Sequence, residues 1–323
     1  MTASVAGAAQ QIGATVVTKT TVADGVVQLR LRPQDGAHFA RWLPGAHIDV
    51  MLPGGALRQY SLHSDPTAAD EYLISVLYEP DGRGGSRAVH DDVQVGQKLA
   101  ISEPRNHFEL TSARSYLFIA GGIGITPILP MVRSVAVRRL PWRLVYGGRT
   151  RTSMAYLDEV LAQPGGRVDI YPQDETGMLD VLGILNDSSA GDAIYCCGPA
   201  GLLEAVEQHC KNDQAERLHV ERFAASAQFL DQADDQEFEL VLNRTGVTLT
   251  IPPDRTAMDV ISEQTSLSPF SCGVGSCGTC EVAVLEGTPD HRDSILSAKE
   301  RAANQIMHIC VGRSQTPRLV IDL

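Results

Sequence analysis

The stretch Ser271-Cys272-Gly273-Val274-Gly275-Ser276-Cys277-Gly278-Thr279-Cys280 carries three cysteines at C-x4-C-x2-C, and a fourth, Cys310, follows after a long gap. This is the spacing of four thiolates around a plant-type [2Fe–2S] cluster. The filler residues suit that role, because Gly273, Gly275 and Gly278 let the backbone wrap closely and adopt positive φ. Their amides, with those of Ser276 and Thr279, can point at cluster sulfurs and help set the potential. A structural zinc site, the alternative use of such cysteines, favours two close pairs instead. A one-electron centre this far along a chain must be fed, so the preceding residues are expected to be its supply line.

Bulk composition bounds the rest. A length of 323 residues suggests two or three domains. With 43% apolar and 20% charged residues, the chain reads as soluble and globular. No apolar run approaches the ~18 residues that span a bilayer. Met1 to Gln11 lacks a basic segment and a continuous apolar one, so no signal peptide is expected. A net charge of −12 argues against nucleic-acid binding and can steer docking to a basic redox partner. Seven cysteines, four of them assigned as thiolate ligands, suit a reducing cytoplasm.

From Ala14 to about Glu109, short Val-, Ile- and Leu-rich strands broken by Pro and Gly predict a small β-barrel. Within it, Arg58-Gln59-Tyr60-Ser61-Leu62 alternates so that Arg58, Tyr60 and Leu62 share one face and Ser61 takes the other. Arg58 can pair with a phosphate, Tyr60 can lie against an aromatic ring, and Ser61 can hydrogen-bond a ring nitrogen. An ordinary edge strand explains the same residues. Gly82-Arg83-Gly84-Gly85-Ser86-Arg87 is a glycine-rich turn entering a helix, either an anion site with Ser86 as cap or donor or a plain hairpin loop.

From Arg114 the pattern turns to alternating strands and helices, which imply a parallel sheet with a ligand at its carboxyl edge. The strand Ser115 to Ala120 runs into Gly121-Gly122-Ile123-Gly124-Ile125-Thr126-Pro127 and a helix near Ile128 to Ala136. Arg143 to Gly148 is a second strand and turn, with a helix from Ala155 to Leu161. Ala193 to Cys197 is a third, turning at Gly198-Pro199 into the helix Ala200 to Cys210. Cys196 and Cys210 read as core thiols; Cys197 fits either the core or the site. Arg149, Arg151 and Ser153 after the second strand favour a 2′-phosphate on bare chemistry.

Residues 227–236 read as a small, acidic linker. Beyond it, a hairpin through Asn243-Arg244-Thr245-Gly246, a helix from Ala257 to Gln264, the cysteine loop, and strands Cys280 to Leu285, Met307 to Val311 and Arg318 to Leu323 suggest a β-grasp fold. Ser297 to Glu300 fits a capping box. Asp290-His291-Arg292-Asp293-Ser294 is expected to be a solvated interdomain contact.

These motifs together resemble the phthalate dioxygenase reductase family, which includes vanillate demethylase reductases, over nearly the whole chain. The resemblance implies three domains: a β-barrel FMN domain (1–112), an α/β parallel-sheet NAD domain (113–226) and, after the linker, an α+β β-grasp ferredoxin domain (237–323). It implies that Arg58, Gln59, Tyr60, Ser61, Gly84, Gly85 and Ser86 hold FMN, with Tyr60 by the flavin ring and Ser61 at its N5 edge. It assigns Gly121, Gly122, Gly124, Thr126, Gly198 and Pro199 to NAD, places Ser61, Thr126 and Cys197 at the nicotinamide–flavin meeting point, and makes Phe223 a shield for the flavin face, a core Phe being the alternative. The cluster ligands are Cys272, Cys277, Cys280 and Cys310. The implied activity is that of a cytoplasmic reductase component. It takes electrons from NADH, or NADPH, through FMN and the [2Fe–2S] cluster to a Rieske-type oxygenase or a cytochrome P450 acting on an aromatic or similar small substrate. An FAD reductase of related build, a non-catalytic redox sensor and a zinc-bound scaffold stay open.

Overall fold

The computed structural model describes residues 11–34, 36–210, 216–223, 235–265, 273–276, 278–296 and 298–323. Gln11–Glu221 form one compact unit and Arg222–Leu323 lie in a second.

The first unit begins with an antiparallel sheet of β1 (Ile12–Ala23), β2 (Val26–Pro33), β3 (Ala46–Met51), β4 (Leu57–Ser61), β5 (Tyr72–Leu77), β6 (Lys98–Ile101) and the short β7 (Arg105–Asn106). Its order is β4-β3-β6-β1-β2-β5, with β7 on β3. Beyond β4, the amide of His63 donates to Leu73 O at 3.1 Å, joining the chain to β5 across the gap between the two edges. Period-2 patterning drives this curvature: Val27, Leu29 and Leu31 of β2 point inward, and Ile48, Val50, Ile74 and Ile101 meet them in one core. Each fully buried Leu or Ile contributes about 1.5–3 kcal/mol. The glycine-rich turn leads into α1 (Gly85–Arg87), continued by a wide helical turn over Ala88–Asp92.

The same unit carries a five-stranded parallel sheet in the order β10-β9-β8-β11-β12. Its strands are β8 (Ser115–Gly121), β9 (Trp142–Gly148), β10 (Arg167–Pro172), β11 (Asp192–Cys197) and β12 (Leu218–Glu221). The inner strands β8 and β11 are almost continuously apolar because helices cover both faces. Phe118, Ala120, Tyr195 and Cys197 pack with Ile128, Leu129 and Val132 of α2 (Ile125–Val137). Leu117, Ile119, Ile194 and Cys196 pack the other way. There they meet α5 (Val181–Asn186) and α6 (Ala200–His209). The connections also hold the short α3 (Leu157–Leu161) and α4 (Gln173–Thr176). Buried polar groups stitch barrel to sheet. Tyr156 Oη donates to Gln28 Oε1 at 3.0 Å and lies 2.5 Å from Ser75 Oγ, which is 2.9 Å from His63 Nε2. Arg133 Nη1 donates to His63 O at 2.6 Å, and Asp24 N to Thr152 O at 2.9 Å.

The second unit holds a five-stranded mixed sheet, β14-β13-β19-β15-β17. It is built from β13 (Phe238–Leu242), β14 (Val247–Ile251), β15 (Glu281–Glu286), β17 (Ile306–His308) and β19 (Arg318–Ile321). Ala257, Val260 and Ile261 of α7 (Ala257–Gln264) close its core. The pair β16 (Pro289–Asp290) and β18 (Arg313–Ser314), with α8 (Ala298–Ala303), completes it. The three architectures are therefore a β-barrel, an α/β parallel sheet and an α+β ferredoxin-like sheet. Among the described residues no helix is long and apolar enough to cross a membrane. Most of the linker, 227–234, lies outside them, as does Ser297 of the expected capping box.

Candidate active site and cofactor sites

On the barrel, β4 pairs with β3 so that Tyr60 opposes Ile48 and Ser61 opposes His47. Tyr60 packs against the barrel core, and burial raises its phenol well above the ordinary range. Arg58 donates to Leu57 O (2.8 Å) and Arg83 O (2.6 Å). Burial and the neighbouring Arg83 charge both push its pKa down. That crowding of cations is what a phosphate relieves. Gly85 makes the crevice possible, because a Cβ there would sit 2.6 Å from Arg58 Cγ. Two expected ligands are turned to structural work. Gln59 Nε2 donates to the buried Asp49 at 3.0 Å, and Asp49 also takes Arg105 Nη2 at 2.6 Å. Ser86 Oγ accepts from Glu79 N (3.0 Å) and donates to Glu79 O (3.2 Å), pinning the turn. The position before α1 belongs to Gly84, at φ +80, so Ser86 is no cap.

At the carboxyl edge of the parallel sheet, the turns after β8 and β11 touch. A Cβ on Gly124 would lie 2.2 Å from Cys197 O, and one on Gly121 would lie 2.7 Å from Pro199 Cδ. Gly122 takes φ +54, and Thr126 Oγ1 donates to Ile123 O at 2.9 Å, closing the turn into α2. Gly198 sits against Gly121, where its Cβ would be 3.0 Å from Gly121 Cα.

Three polar side chains converge beside this edge from three elements. Ser61 Oγ donates to Glu221 Oε2 at 3.4 Å, and Cys197 Sγ lies 3.9 Å from the same oxygen. Burial lifts the Glu221 carboxyl to about 8. Burial first, and then the Glu221 carboxylate, hold the Cys197 thiol neutral. A neutral thiol is a poor nucleophile, which suits Cys197 to lining the crevice. Glu221 was not singled out from sequence. Its only signal is position, as the register partner of Cys197 on the next parallel strand. Phe223 lies in the second unit, 43% exposed.

In the second unit, Cys280 and Cys310 are buried, while Cys272 and Cys277 lie outside the described residues. Gly273, Gly275 and Gly278 take φ of +69, +67 and +72, the left-handed backbone expected of a loop folded around a cluster. Sulfur donors and a glycine-bent loop fit a [2Fe–2S] group. The segment Asp290-His291-Arg292-Asp293-Ser294 is not a solvated contact but a brace for that loop, half-buried around the buried Asp293. Ser294 N donates to Gly275 O at 2.9 Å, and a Cβ on Gly275 would meet Asp293 Cα at 2.9 Å. Asp293 Oδ1 accepts from Ile295 and Leu296 amides at 2.9 and 2.8 Å, and its other oxygen faces His308 Nδ1 at 3.6 Å. Although burial opposes ionisation, these partners hold its carboxyl well below the usual range. Arg292 pairs with Asp290 (2.7 Å) and with Asp235 (2.5 Å), which also faces the buried Arg313 at 3.4 Å. The side chains turn inward because β16 pairs with β18 and delivers them to one another.

The chain is similar in sequence and fold to known proteins. Residues 240–314 match the family model of a 2Fe-2S iron-sulfur cluster binding domain, and 118–208 that of an oxidoreductase NAD-binding domain. Phenoxybenzoate dioxygenase subunit beta of Ectopseudomonas oleovorans is 43% identical over 93% of this chain and 94% of its own. A solved phthalate dioxygenase reductase superposes with a TM-score of 0.71 at 31% identity, covering 97% of this chain and 98% of that one. An intact type IV self-sufficient cytochrome P450 monooxygenase gives a TM-score of 0.85 at 36% identity, covering 97% of this chain and 41% of that one.

Proposed function

The chain belongs to the phthalate dioxygenase reductase family, and from that membership we propose that it is the reductase component of an oxygenase system. It carries electrons from NADH through FMN and a [2Fe–2S] cluster to a separate Rieske-type oxygenase or cytochrome P450 acting on a small, typically aromatic substrate. A cytoplasmic setting follows from cysteines that must stay reduced. The observation that carries this reading is the convergence of Ser61, Cys197 and Glu221 where barrel and nucleotide sheet meet.

Bound flavin and cluster would supply the redox chemistry, joining a two-electron donor to a one-electron acceptor. The protein's part is placement. Arg58, Gly84 and Gly85 would hold the FMN phosphate, and Tyr60 would lie by the ring. The turns at Gly121–Gly124 and Gly198-Pro199 would receive the pyrophosphate on their backbone amides. Thr126 fixes the first of these turns, and the buried Cys197 lines the crevice beside it. Ser61 Oγ–H, now on Glu221, would be available as a donor to a ring nitrogen of the flavin. Cys272, Cys277, Cys280 and Cys310 would bind the cluster.

Anaerobic NADH titration, followed by absorbance and by EPR, tests the relay. Flavin bands should bleach first, and a [2Fe–2S] signal should follow. Cys280→Ser should abolish reduction of cytochrome c while leaving NADH–ferricyanide activity. If both activities survive, the order of carriers is wrong. Extraction of FAD in place of FMN would shift the assignment to the related FAD reductases.

A further inference from the structure

In a mononucleotide-binding half-sheet, the residues after the second strand meet the adenosine ribose, and their charge separates a free 2′-hydroxyl from a 2′-phosphate. Here that strand is β9, followed by Arg149, Thr150 and a tight turn over Arg151–Ser153. By residue type the turn invites a phosphate. Two of its three donors, Arg151 and Ser153, are spent elsewhere, and Arg149 is exposed. Arg151 presents its fork to Glu175, Nε to Oε1 at 3.1 Å and Nη2 to Oε2 at 2.7 Å. That is the two-point geometry a phosphate would otherwise take. Ser153 Oγ donates to Thr150 O (2.9 Å) and accepts from Thr150 N (3.1 Å).

Glu175 arrives from α4, directly after β10, the parallel neighbour of β9. Asp174 N donates to Arg149 O at 3.2 Å, which ties the acidic turn to the basic one. A 2′-phosphate entering here must draw Arg151 off Glu175 and then sit beside the carboxylate it displaced. The Arg151–Glu175 pair is about half exposed on both sides, so breaking it costs little. The discrimination therefore comes from the uncompensated carboxylate rather than from the pair.

We propose that Glu175, through its fork on Arg151, makes this nucleotide site select NADH over NADPH. The assignment rests on the proposed function, since it concerns the coenzyme of that same site. An exposed like-charge contact of this kind is worth about tenfold.

Calorimetric titration of the full-length protein with ADP-ribose and with 2′-phospho-ADP-ribose measures the preference without needing flavin or cluster turnover. Wild type should bind ADP-ribose more tightly. Glu175→Gln should narrow the ratio about tenfold by tightening the phosphorylated ligand, and adding Arg151→Leu should remove that gain. ADP-ribose binding by each variant reports that it is folded. An unmoved ratio in Glu175→Gln, or a wild type that prefers the phosphorylated ligand, overturns the assignment. Should NADH still bleach the flavin in that case, the proposed function stands. A protein that binds neither ligand and is not bleached by NADH overturns both.

Discussion

Replacing Gly124 by alanine isolates the contact on which the nucleotide site is built. Gly124 has φ −61, so its backbone accepts any residue and the objection is wholly steric. The new Cβ would fall 2.2 Å from Cys197 O, 2.5 Å from Cys197 C and 2.8 Å from Gly198 N, where ordinary contact begins near 3.4 Å. All three are backbone atoms at the end of a central strand, so no side chain can swing away. The two turns must part by about 1 Å. The expected stability loss is about 3 kcal/mol, the upper end for overpacking. A displacement of that size beside a reacting pair lowers its rate by about 100-fold. Gly122→Ala is the comparison: it has φ +54 but nothing within 4 Å, so it should lose about 1 kcal/mol from backbone strain alone. Urea unfolding and stopped-flow flavin reduction by NADH measure both quantities. Wild-type stability and rate in Gly124→Ala would refute the idea that close approach of the turns builds the site.

Two further outcomes follow from buried charge. The Glu221 carboxyl sits near 8 in the folded chain against an ordinary 4.5, so the unfolded chain loses its proton first. Stability should then fall as pH rises from about 4.5 to 8, by up to about 1.4 kcal/mol per unit. Glu221→Gln should flatten that slope in urea titrations at pH 5 and pH 8, and an unaltered slope would assign it to other groups. Asp235→Ala leaves Arg313 buried without its carboxylate, and should cost about 3 kcal/mol in the ferredoxin unit. A loss below about 1 kcal/mol would mean that the carbonyls of Arg255, Gln236 and Pro252 satisfy Arg313 on their own.

Elements whose reasons are local were legible in the sequence. The three cluster-loop glycines, the glycine turn after β8 and the helix Ala257–Gln264 are set by φ preference, spacing and a Thr256 cap. Boundaries moved where one residue's geometry decides them. Helix α2 begins at Ile125 because Pro127 is tolerated in a first turn, whereas α3 starts only at Leu157 because Tyr156 takes φ +63. The strand expected over Met307 to Val311 ends at His308, and Cys310 lies in the turn beyond. Hidden features all depended on pairing between distant segments. Glu221 joins the site only through the register of β12 on β11. Arg151 loses its apparent role to a glutamate 24 residues away. The inward turn of Asp290–Ser294 needed β18, which no local pattern announces.

The hydroxyl of Tyr156, clasped by Gln28 and Ser75, has a practical corollary for anyone dividing this protein. Expressing the parallel sheet without its barrel would strand that phenol in solvent, uncap Arg133 from the His63 carbonyl and bare the wall around it. The smallest fragment expected to keep its shape is thus Gln11–Glu221 whole, and a chimera that borrows the nicotinamide-handling machinery must take the barrel with it.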